Sequence, residues 1–135
     1  MSQLANIKRA VNAVLADPER NGIYRLSEGD FGFAQKLDGR ALRSKKSLLA
    51  GIARALEFPN YFGENWDALE ECLSDMSWRE GQISLLIEHA DAIPAPLLET
   101  LLEVFLATAQ RWAAEGRACS LFLTDIDQPK IPLLA

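Results

Sequence analysis

The residues with the clearest chemical potential are carboxylates. Between Tyr61 and Met76 the chain carries Glu64, Asp67, Glu70, Glu71 and Asp75, with no Lys or Arg among them. Asp67, Glu71 and Asp75 stand at i, i+4 and i+8, which on an α-helix stacks three carboxylates along one face. Like charges at i, i+4 destabilise a helix by roughly 0.2–0.5 kcal/mol per pair. Glu71 and Asp75 also fall toward the helix C-terminus, where the dipole disfavours negative charge. Accepting such a local cost fits a face kept for binding. The same spacing also fits the solvated face of an amphipathic helix, so the charges alone leave both readings open. As a binding face, a rigid row of carboxylates complements a cleft of Arg, Lys and His that otherwise holds phosphates. Its field would also speed encounter with a basic protein.

Other constellations carry less. His89 is the only histidine and has Glu88 and Asp91 beside it. A small acid/base hydrolase using Glu71 or Glu88 with His89 is the enzymatic reading. Against it, a lone His at a strand end is more often a surface or capping residue. Cys72 follows acids and lacks a basic neighbour, so it is not set up as a thiolate nucleophile. Gly63-Glu64-Asn65 before a helix has the form of an anion-binding turn, but the surrounding carboxylates would repel a phosphate, and it reads as a cap. The expectation is no enzyme, no catalytic residue, no metal site and no cofactor.

The elements that must position the acidic face follow from periodicity. Leu4, Ile7, Val11, Val14 and Leu15 predict a helix over residues 3–16, closed by Asp17-Pro18 and Asn21-Gly22. Residues 23–26 are a candidate edge strand, and residues 31–37 read as a strand ending in the turn Asp38-Gly39. Ser44 is a plausible N-cap for a helix to about Leu56, with Leu48, Leu49, Ile52 and Leu56 on its apolar face. Asn65 caps the acidic helix, whose core face is Trp66, Leu69, Cys72, Leu73 and Met76. The apolar run from Ile83 to Ile87 reads as a strand covered on both faces. Pro94 and Pro96 open a long helix to about Glu115, buried through Leu97, Leu98, Leu101, Leu102, Phe105, Ala109 and Trp112, and Gly116 stops it. Residues 118–123 form a last strand. Strands separated by helices imply parallel pairing.

Composition bounds the rest. The 135 residues suit one domain and carry a formal net charge of −5. The charge is polarised: residues 35–57 hold Lys36, Arg40, Arg43, Lys45, Lys46 and Arg54 against only Asp38 and Glu57. Net acidity argues against nucleic acid as a direct partner and for a cationic protein. Cys72 and Cys119 lie in apolar stretches without framework spacing, as buried thiols of a reducing compartment do. No signal-peptide or membrane-spanning run is present in the sequence, so a cytoplasmic location without membrane contact is expected.

The segment Tyr61-Phe62-Gly63-Glu64-Asn65-Trp66-Asp67-Ala68-Leu69-Glu70-Glu71-Cys72-Leu73 resembles the barstar family, intracellular inhibitors of barnase-type ribonucleases. Weaker similarity runs from about Phe31 to Leu123, including Leu37-Asp38-Gly39, Glu103-Val104-Phe105 and Ala114-Glu115-Gly116. The resemblance implies an α/β, barstar-like fold: a small parallel three-stranded sheet packed with helices, here with an N-terminal helical extension. The expected organisation is an extension over residues 1–30, the barstar-like domain over 31–124 and a tail over 125–135. It implies that the helix and the loop before it plug a ribonuclease active site. Tyr61 matches the aromatic that packs on the enzyme, Gly63 and Asn65 the loop and helix start, and Asp67 one contact carboxylate. Glu71 matches the central carboxylate, usually Asp in the family. With Glu70 and Asp75 from the acidic face, these form the expected partner-binding set. Glu70 and Trp66 depart from the family pattern, and a further contact acid of the family falls at Ala107. The partner implied is a basic ribonuclease; the alternative is an interaction module with another cationic protein. A monomer is expected when free.

Overall fold

The computed structural model describes residues 3–27, 35–59, 65–76 and 81–134. The helices are α1 (Gln3–Leu15), α2 (Lys45–Ala55), α3 (Trp66–Asp75) and α4 (Ala95–Ala114). The strands are β1 (Gly22–Arg25), β2 (Gln35–Asp38), β3 (Ile83–Glu88) and β4 (Cys119–Leu123). All pairings are parallel, in the order β1-β4-β3-β2. Among the described residues the sheet therefore has four strands, where the expected fold has three. The fourth is the candidate edge strand of the N-terminal region, seated on β4 with Gly22 opposite Ser120 and Arg25 opposite Leu123. The expected start of β2 at residues 31–34 lies outside the described residues.

The continuous apolar runs of β3 and β4 are explained by burial on both faces. Side chains alternate across a strand, so Ile83, Leu85 and Ile87 share one face with Cys119, Leu121 and Leu123. There they join the larger core with Leu48, Leu49 and Ile52 of α2, Leu69 and Leu73 of α3, and Leu101, Phe105 and Trp112 of α4. Leu86 and Phe122 point the other way, into a smaller core with Ile7, Val11 and Val14 of α1. Tyr24 stacks on Phe122 there, ring centroids 6.0 Å apart.

The outer edge of β1 is partly closed by the end of the chain. Arg25 donates its N–H to the Pro132 carbonyl and accepts from the Leu134 N–H, both at 2.8 Å. One side chain joins three elements: the Asn21 amide donates to the carbonyls of Ala109 (3.2 Å) and Arg117 (2.7 Å) and accepts from the Cys119 N–H (3.0 Å). These contacts pin β1 to α4 and β4. The layer α2–α4 is left on the opposite face of the sheet from α1, and it carries the acidic helix.

Candidate functional site

Helix α3 begins at Asn65, as its sequence predicts. The extended backbone of Asn65 turns its Oδ1 toward the helix, where it accepts from the Ala68 N–H at 2.8 Å. An Asn cap satisfies an otherwise orphaned N–H and contributes about 1 kcal/mol. Leu69, Cys72, Leu73 and Met76 are buried; Trp66 is half-buried and packs against the same core. At the other end Met76 adopts a left-handed conformation (φ 45°) and its N–H donates to the Cys72 carbonyl at 3.0 Å.

A second constraint comes from α4. The Trp112 indole N–H donates to the Leu73 carbonyl at 3.0 Å in a buried hydrogen bond. Leu73 lies in the last turn of α3, where carbonyls lack helical partners, so the indole satisfies a group that burial would otherwise penalise. The Arg117 guanidinium covers the other side of this arrangement, 3.7 Å from the Trp112 ring centroid. The apolar face of α3 is thus docked at a fixed height and rotation.

The opposite face is charged. Asp67, Glu70, Glu71 and Asp75 are all exposed. Among the described residues none of the four has a cation within ion-pairing distance. Their field reaches inward: the Cys72 thiol is pushed up, first by burial and then by the negative charges of Asp75 and Glu71. Cys119 is pushed up to about 12 by burial. Both cysteines are free and buried, and neither is chemically activated. Tyr61 and Gly63, the loop members of the expected binding set, lie outside the described residues, as does Glu64.

A second set of charged groups lies where β2, β3 and β4 end, and there they pair with one another. Arg40 forms a close pair with Asp38 (2.8 Å), and its hydrogen bonds hold the Asp38 carboxyl down at about 2. Lys36 meets Glu88 at 3.4 Å. His89 faces Asp125, whose Oδ2 lies 3.5 Å from Nδ1 and accepts from the His89 N–H and the Thr124 hydroxyl. His89 and Asp125 both have positive φ, 52° and 59°. The side chain engaged with His89 is therefore neither Glu88 nor Asp91. Asp125 had no sequence signal, because it approaches from 36 residues away. Gly39 closes the same corner: a Cβ there would collide with the His89 carbonyl. Among the described residues no group of three or more His, Cys, Asp or Glu could hold a metal ion. No described helix is long and apolar enough to cross a membrane.

Helices pack on a parallel sheet, and among the described residues the acidic face of α3 has no cation beside it. Residues 33–124 match the family described as Barstar (barnase inhibitor), and this chain belongs to that family. A comparison with curated proteins returned no match.

Proposed function

We propose that this chain is a stoichiometric protein inhibitor, of the immunity or antitoxin type, that acts in the cytoplasm by occluding the cationic active site of a ribonuclease. The observation that carries this reading is the row Asp67, Glu70, Glu71 and Asp75, exposed and without a cation beside it among the described residues, on a helix held by Trp112. Membership of the barstar family supplies the class of target. Glu71 is the central contact, flanked by Asp67, with Asn65, Gly63 and Tyr61 forming the adjoining loop edge.

The mechanism is occupation, not catalysis. Carboxylates placed among phosphate-binding cations form charge-assisted hydrogen bonds that are stronger than neutral ones. Because α3 is ordered before binding, little conformational entropy is lost on association. The acidic field steers a basic enzyme toward the face, so association slows as salt rises. Truncating a central hot-spot carboxylate costs roughly 2 kcal/mol or more, a scale set by the barnase–barstar pair.

The test is co-expression with barnase-type ribonuclease toxins, read as growth. Wild type and Glu99→Ala, an exposed change on α4, are expected to rescue, and Glu71→Ala to lose most of the rescue. Equal loss from Glu71→Ala and Glu99→Ala would overturn the site. Failure of the wild type against every such toxin would overturn the inhibitor reading and favour an interaction module with another cationic protein.

A further inference from the structure

We propose that the basic face of α2 docks onto the acidic face of α3 in a second copy of this chain, forming a salt-sensitive dimer. Arg43, Lys45, Lys46 and Arg54 are exposed, and among the described residues none has an ion-pair partner. Helix α2 itself contains no carboxylate. These cations are thus as free as the four carboxylates of α3, and the two sets are equal in number and opposite in sign.

Their spacing also matches. Lys46 and Arg54 are eight residues apart on α2, as Asp67 and Asp75 are on α3. At a rise of 1.5 Å per residue both rows span ~12 Å, and both turn by the same angle about their axes. Arg54 in the last turn of α2 and Asp67 in the first turn of α3 suit their helix dipoles, but the other end of each row does not. Lys45 and Lys46 sit in the first turn of α2, with no acid there to complement the dipole. Asp75 sits in the last turn of α3, with no basic residue there. Setting the start of α2 beside the end of another copy's α3 relieves both unfavourable placements at once.

Both helices pack on the same core, on the same face of the sheet. An isologous contact that pairs each α2 with the other copy's α3 about a two-fold axis would close the assembly at two copies. This differs from the monomer expected from sequence. It does not depend on the ribonuclease reading, although it uses the same acidic face, so a cationic target and a second copy would compete for α3.

Sedimentation velocity on the full chain tests this at ~100 µM, in ~20 mM and ~500 mM salt, which spans strong to weak screening. The expected result is a dimer at low salt and at least a tenfold rise in the dissociation constant at high salt. The double variant Lys46→Glu with Arg54→Glu should be monomeric at low salt, and so should Asp67→Lys with Asp75→Lys. Mixing these two in equal amounts should restore the dimer, because each then offers the charge that the other lacks. A wild type monomeric at low salt would overturn the proposal, as would a dimer unaffected by either swap or a mixture that stays monomeric. Should the α3 variant fail to fold, the salt series and the α2 variant still decide.

Discussion

At the ends of β2, β3 and β4 the charged residues come in partnered sets: Asp38 with Arg40, Lys36 with Glu88, His89 with Asp125. On α3, four carboxylates occupy a single helix with no internal counter-charge among the described residues. The two regions use the same residue types to opposite ends. Paired groups such as Asp38 and Asp125 accept hydrogen bonds from the backbone and fix the corner where the strands stop. The α3 carboxylates make no such backbone hydrogen bonds among the described residues, and those at i, i+4 repel one another. Charge is neutralised locally at the strand ends, whereas on α3 it is left uncompensated among the described residues.

The largest effect is expected at the support of the acidic helix. Trp112→Ala removes a fully buried indole and its bond to Leu73, and should cost about 3–5 kcal/mol in urea unfolding. Trp112→Phe keeps most of the volume and orphans the Leu73 carbonyl, so a loss of about 1–3 kcal/mol is expected. A neutral Trp112→Phe would mean that α3 is held by apolar packing alone.

Glu71→Gln should separate stability from function. Two like-charge i, i+4 contacts disappear, so unfolding stability should rise by roughly 0.2–0.5 kcal/mol per contact. Inhibition of the ribonuclease should fall in the same variant. A loss of stability would show that Glu71 has a structural partner, and the contrast with the strand ends would fail.

The smallest effect is a pH dependence confined to the paired region. Asp38 titrates at about 2 in the folded chain, below the ~3.9 of an unfolded Asp. Its contribution is fully present above the unfolded value and is lost as pH falls through the folded one. Melting temperature should therefore drop less steeply between about pH 4 and pH 2 in Asp38→Asn than in wild type. Identical slopes would remove Asp38 from the paired set.

Much of this was legible in local sequence. Ser44 caps α2 through a reciprocal pair with Ser47, Asn65 caps α3, and Gly116 follows α4 with a positive φ of 73°. Each signal acts over three or four residues, within reach of one-dimensional reading. The apolar faces of α2, α3 and α4 were legible for the same reason, as was the row Asp67, Glu71, Asp75. The fourth strand was visible only as a candidate, because its role depends on pairing with β4, almost a hundred residues away.

For the acidic helix, sequence alone determined its cap, its apolar stripe and the stacking of its carboxylates, since helical periodicity sets all three. Tertiary structure decided that these carboxylates have no cation beside them among the described residues, that Trp112 reaches across from α4 to hold Leu73, and that His89 answers to Asp125. Those contacts depend on which distant segments the sheet and the two cores bring together, and no spacing along the chain encodes a distance across it.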